Sequence, residues 1–177
     1  MFRSGPSHSW SAYDELLCVQ LNRGARIVWV RSLFRLVSRL GDGLFWYVLM
    51  LWLLLSREGQ ALLAVVHMAA TGLACTGLYK WLKARTSRPR PYQVNQAIRC
   101  VAAPLDHFSF PSGHTLHAVA FSTVLLAYYP AFAWLVLPFS LLVALSRMVL
   151  GLHYPTDVLA GGAIGIVVSA LSLVLLR

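Results

Sequence analysis

SRMVLGLHYPTD, from Ser146 to Asp157, is the stretch on which the fold turns. It sets an arginine, a histidine and an aspartate between two long apolar blocks. Such groups near a bilayer core are costly and are usually kept there for a function. KARTSRPRP, Lys83 to Pro91, and FPSGH, Phe110 to His114, break the apolar sequence in the same way. Around these strings the composition is that of a chain dissolved in lipid, with 58% hydrophobic residues, 12% charged residues and a mean hydropathy of +0.66. A soluble domain has neither value.

A helix needs about 20 apolar residues to cross a bilayer. Spans are expected at Leu40–Ser56, Gln60–Trp81, His114–Tyr129, Ala131–Gly151 and Thr156–Leu176. The first is short in its apolar part, which puts Asp42 at the interface. Upstream, Arg31, Arg35 and Arg39 recur every four residues with Trp29, Leu33, Phe34, Leu36 and Leu40 between them. That spacing predicts a helix lying in the membrane interface. The expected fold is therefore all-α: a polytopic transmembrane helical bundle of five clear spans plus an N-terminal amphipathic interfacial helix. It forms one integral-membrane domain over residues 1–177, with residues 1–40 as the amphipathic segment. The long polar connection of residues 83–110 is unusual in so short a chain and is read as an active-site loop.

The net charge of +9 comes with no nucleic-acid-binding motif, so no nucleic-acid partner is expected. Cys18, Cys75 and Cys100 are odd in number and lack ligand spacing, so neither a disulfide framework nor a zinc site is indicated. No charged–apolar–cleavage pattern opens the chain, so no removable signal peptide is expected.

Because helices alternate direction across a membrane, this span order brings all three strings to one face. Lys83, Arg90 and Arg147 then supply three cations, enough to clamp a phosphate, with arginine as a bidentate fork and lysine as a point charge. Ser112, Gly113 and His114 open a helix, where backbone N–H groups and the helix dipole favour an anion. Gly113 allows close backbone approach, and Pro111 stiffens the turn leading in. His153 and Asp157 are one helical turn apart, a spacing that lets the carboxylate hold the imidazole Nδ1–H and leave Nε2 as a nucleophile. His114 would be a second imidazole, protonating the leaving group. A nucleophile, an orienting acid, a general acid and a cationic cradle together describe phosphoryl transfer.

These residues resemble the type 2 phosphatidic acid phosphatase superfamily, which also includes glucose-6-phosphatase and the vanadium haloperoxidases. The pattern Lys-x6-Arg-Pro is met by Lys83, Arg90 and Pro91. Pro-Ser-Gly-His is met by Pro111, Ser112, Gly113 and His114. Ser-Arg-x5-His-x3-Asp is met by Ser146, Arg147, His153 and Asp157. The resemblance implies a metal-independent phosphatase with no cofactor, working through a phosphohistidine. His153 would be the nucleophile, Asp157 its partner and His114 the proton donor, with Lys83, Arg90, Ser112, Gly113 and Arg147 on the phosphate. The expected substrate is a lipid phosphate, with undecaprenyl diphosphate, phosphatidic acid and phosphatidylglycerophosphate all open. The expected surroundings are membrane lipids, those of a bacterial inner membrane. The family's six-helix core is matched by five spans only, so the N-terminal stretch is expected to stand in for the sixth. Two other readings stay open: a non-catalytic anionic-lipid-binding protein, and a haloperoxidase-like use of the same pocket.

Among the remaining polar residues, Lys80 is expected to snorkel, and Arg85, Arg88 and Arg99 to form a solvated, lipid-facing charge set. His117 is expected to pack or line a channel, and Gly161, Gly162 and Gly165 to let helices approach. His67, Asp106 and His107 have no assignable partner in the sequence.

Overall fold

The structure is a computed structural model describing residues 8–57, 59–104 and 106–176, so residues 1–7 of the expected amphipathic segment lie outside it. The described residues hold eight α-helices and no strand. These are α1 (His8–Asn22), α2 (Val28–Arg39), α3 (Phe45–Ser56), α4 (Ala61–Thr86), α5 (Pro91–Val94), α6 (Gly113–Tyr128), α7 (Ala133–Val149) and α8 (Pro155–Leu176).

Four segments are long and apolar enough to cross a membrane: Val28–Ser56, Ala61–Val94, Pro130–Val149 and Pro155–Leu176. Large apolar side chains on them face outward, including Leu51, Leu55, Leu62, Leu73, Trp134, Leu137, Leu159 and Val174. An exposed apolar surface of that extent suits lipid rather than water. The chain is an integral membrane protein. The expected span at 114–129 is the 16-residue α6, about 24 Å long and short of the roughly 30 Å hydrocarbon layer. It lies inside the bundle against α4, α7 and α8, with Leu116, Ala118, Ala120, Phe121, Val124 and Leu125 buried.

Residues 8–40 hold two helices rather than one continuous amphipathic stretch. α1 packs on α7 and α8, with Asp14 buried. α2 packs on α7 and runs through a five-residue wide turn, Leu40–Leu44, into α3. Its apolar Trp29, Leu33 and Leu36 are exposed while Ser38 is buried.

The core is a cluster of Trp46, Leu53, Met68, Phe121, Val124, Val136 and Val143 from α3, α4, α6 and α7. α8 approaches α6 closely because Gly161 and Gly165 lie at the crossing. A Cβ on Gly161 would lie 2.5 Å from the Ser112 carbonyl oxygen, and one on Gly165 2.6 Å from that of Leu116. Small residues let membrane helices come this near. The contact holds the first turn of α6 directly against the first turns of α8.

Candidate active site

Two helix ends do most of the positioning. α7 closes in a Schellman motif, with Gly151 N–H donating to Met148 O at 3.0 Å and Leu152 N–H to Arg147 O at 3.0 Å. Gly151 has φ 75°, and a Cβ there would lie 2.7 Å from the Arg99 carbonyl oxygen, so only glycine fits. The reversal carries His153 back over Arg147, and the His153 N–H also donates to Arg147 O at 3.1 Å. At the other end, the Ser112 N–H donates to Asp157 O at 3.0 Å, tying the start of α6 to α8.

Between these ends lies a cavity of about 440 Å³. Its polar end is lined by Lys83, Arg90, Asp106, Gly113, His114, Arg147 and His153, and its apolar limb by Trp46, Met50, Ala69, Leu73 and Phe121. Two residues expected at the site do not line it. Ser112 is fully buried with its hydroxyl 3.0 Å from Thr115 Oγ1, and Asp157 is buried behind His153.

The cations close on an anion that belongs to the protein. Lys83 Nζ donates to Asp106 Oδ1 at 2.7 Å and Oδ2 at 2.6 Å. Arg90 Nη2 donates to Asp106 Oδ1 at 2.8 Å, and its Nη1 to Leu152 O at 2.7 Å. The same Nη1 sits 3.4 Å from His153 Nε2. Arg147, 2% exposed, donates to Ser38 Oγ of α2, and its Nε has no hydrogen-bond partner among the described residues. His114 Nε2 meets Asp42 Oδ1 from the turn between α2 and α3.

His153 Nδ1 lies 3.7 Å from Asp157 Oδ2, too far for a hydrogen bond, and it has no partner among the described residues. Catalytic hydrogen bonds are often long before substrate binds. Burial, with the Arg147, Arg90 and Lys83 charges nearby, holds the His153 imidazole well below its ordinary value, leaving it neutral. Burial opposes ionisation of Asp106, yet the Lys83 ammonium and the Arg90 guanidinium keep its carboxyl below the usual range.

Several sequence expectations change. Arg88 is no lipid-facing charge: its two Nη atoms bind Asp14 and Asp157, each at 2.7 Å. Asp106, unassigned from sequence, fills the cradle, and Asp42 meets His114. His67 lies 2.9 Å from Tyr128 Oη and 3.0 Å from Ser172 Oγ, away from the cavity. His117 does line the cavity, with Nε2 3.0 Å from Thr76 Oγ1. A signal for the missed acids was available. The chain has only six Asp and Glu, and four of them, Asp14, Asp42, Asp106 and Asp157, stand in or directly behind the cavity.

The profile of the PAP2 superfamily matches residues 60–177. The undecaprenyl-diphosphatase BcrC of Bacillus subtilis is 29% identical over 124 residues, 70% of this chain and 63% of that protein's own length. The crystal structure of Aquifex aeolicus LpxE superposes with a TM-score of 0.77 at 28% identity, covering 89% of this chain and 92% of that one. That of a transmembrane PAP2-type phosphatidylglycerolphosphate phosphatase from Bacillus subtilis superposes with a TM-score of 0.72 at 22% identity, over 96% of this chain and 87% of that one.

Proposed function

Because the chain belongs to the PAP2 superfamily, we propose that it is a membrane lipid phosphate phosphatase, hydrolysing the phosphomonoester or diphosphate headgroup of a lipid through a phosphohistidine on His153. One observation carries the reading: Lys83 and Arg90 grip a single anionic group, the Asp106 carboxylate, beside Nε2 of a buried neutral imidazole. A phosphate offers the same cations more charge and more acceptor oxygens than a carboxylate does.

In this reading the headgroup displaces Asp106 and settles on Lys83, Arg90 and Arg147, with the free N–H groups at the start of α6, Gly113 among them, on its far side. Ser112 supports that turn through Thr115. Nε2 of His153 attacks phosphorus, forming the N–P bond as the P–O bond to the lipid breaks. His114 gives its proton to the leaving oxygen. Asp157 draws the Nδ1 proton and offsets the charge that grows on the ring. Water, deprotonated by His114, then cleaves the N–P bond and frees phosphate. Three side-chain cations carry out the charge neutralisation that a metal would otherwise provide.

The apolar limb of the cavity adjoins the cradle, so the substrate is a lipid whose first carbons lie against Trp46, Met50 and Leu73. The class takes in undecaprenyl diphosphate, phosphatidic acid and phosphatidylglycerophosphate. On this account α2–α3, α4, α6, α7 and α8 make the bundle in a bacterial inner membrane, with α1 at the interface.

The test is phosphate release in detergent from a panel of prenyl diphosphate and glycerophospholipid substrates, with EDTA present. Release is expected to continue under chelation and to fall at least about 1,000-fold in His153→Ala. Equal release by both proteins overturns the mechanism, and activity lost to EDTA and restored by a divalent ion overturns the metal-free route.

A further inference from the structure

Behind His153, out of reach of the cavity, lies a second ionic cluster whose members come from three parts of the chain. Arg88 follows α4, Asp14 sits mid-way along α1, and Asp157 is in the first turn of α8. Arg88 Nη2 donates to Asp14 Oδ2 and its Nη1 to Asp157 Oδ1, both at 2.7 Å. Nη1 also reaches Thr156 Oγ1 at 2.8 Å. Asp14 Oδ1 accepts the Thr156 N–H at 3.0 Å, and its Oδ2 accepts the Thr156 hydroxyl. The guanidinium carbon lies 4.1 Å from the Tyr154 ring centroid. The Asp14 and Asp157 side chains are 3% and 0% exposed.

The geometry points to Arg88 and Asp14 as a positioning pair that acts on the nucleophile through Asp157; this rests on the reading of His153 as that nucleophile. Asp157 spends Oδ1 on Arg88 and one lone pair of Oδ2 on the Tyr154 N–H at 2.8 Å. Its carboxylate plane is thereby fixed, and the remaining lone pair of Oδ2 is the group that faces His153 Nδ1 at 3.7 Å. Closing that gap takes a shift of roughly 0.7 Å to reach an ordinary hydrogen bond, with no change of rotamer.

Charge completes the argument. A lone Arg88–Asp157 pair would be neutral, and a neutral pair offers little to an imidazole gaining positive charge. Asp14 takes up the other half of the Arg88 fork. The trio therefore carries one net negative charge, buried, one atom layer behind the ring. This gives α1 a part in turnover: it delivers the acid that leaves Asp157 anionic in effect as well as in form.

The experiment uses the full chain in detergent with dihexanoyl phosphatidic acid as probe, reading kcat, KM and inhibition by inorganic phosphate. Arg88→Met and Asp14→Asn are each expected to lower kcat about 10- to 100-fold, with KM and phosphate inhibition within about twofold of wild type, because the cradle is untouched. Arg88→Lys should recover part of the loss. The double variant Arg88→Met with Asp157→Asn should be no slower than Asp157→Asn alone, since both act through one carboxylate. Should Arg88→Met fail to fold, Asp14→Asn, which preserves volume, decides. Unchanged kcat in Asp14→Asn, or losses that multiply in the double variant, overturns the pair and leaves a staple that merely docks α1. A wild-type chain that releases no phosphate from any lipid strikes the functional reading itself.

Discussion

Arg88 and Arg90 are separated only by Pro89, yet they serve ionic clusters on opposite sides of His153. Arg90 has φ −77° and ψ 154°, close to a polyproline II turn, whose three-residue period sends side chains two apart in different directions. In front, Arg90 and Lys83 hold Asp106, which comes from a loop and keeps 35% of its side chain exposed. Behind, Arg88 holds Asp14 and Asp157, both sealed by α1 and α8. The chemistry is the same in each case, an arginine on carboxylate. Access decides what it is for. On the proposed reading, the front carboxylate leaves and is replaced by a phosphate arriving from the membrane. The rear ones cannot leave without unpacking a helix, and breaking one such pair strands a buried charge.

The sharpest way to break this symmetry is to remove one arginine at a time. Arg90→Met deletes a donor aimed at the reacting group, and kcat/KM for lipid phosphate is expected to fall about 100- to 1,000-fold, with inhibition by inorganic phosphate largely lost. Arg88→Met should leave that inhibition intact. If both variants lost phosphate binding alike, the front and rear clusters would be one unit, and the division drawn between them would be wrong.

The sequence made the front cluster's cations legible because Lys83 and Arg90 keep the Lys-x6-Arg spacing and Arg147 and His153 the Arg-x5-His spacing, which marks them out among the 15 Lys and Arg of the chain. Lys83, Arg90 and Arg147 could be placed on one face from span order alone. The acids were harder. Asp106 lies 23 residues from Lys83, in a loop whose course no periodicity predicts. Asp14 meets Thr156 across 142 residues, a contact set by how α1 docks. Arg88 looked like its neighbours Arg85 and Arg99 because charge alone does not reveal direction. The fold class and the position of α6 came from hydropathy, whereas the burial of α6 did not. Hydropathy measures how apolar a helix is, and a helix wrapped by other helices is as apolar as one wrapped by lipid.

A smaller effect separates an occupant from a scaffold. If Asp106 sits in the cradle in place of substrate, Asp106→Asn removes a competitor and inorganic phosphate should inhibit more strongly, by up to about tenfold, or about 1.4 kcal/mol. Weaker inhibition in that variant would mean that Asp106 arranges Lys83 and Arg90 instead, and the front cluster would then be as fixed as the rear one.

The smallest effect tests why the imidazole between the clusters is neutral. Burial and the nearby cations hold His153 well below its ordinary value, so its ring should stay unprotonated well below the usual histidine midpoint of about 6.5. The sign follows from which form each neighbour opposes. Burial penalises the charged ring, and so do Arg147, Arg90 and Lys83, so each of them favours the neutral imidazole. The 15N shifts of His153 in the detergent-solubilised protein are expected to show no protonation between pH 7.5 and 6. In Arg90→Met one of those cations is gone, and protonation should begin at a higher pH, though burial persists and keeps it below the ordinary value. Arg88→Met should also ease protonation, since it removes the cation that offsets Asp157 behind the ring. A midpoint near 6.5 in the wild type would mean that the ring is open to water, and the two clusters would not be separated by it.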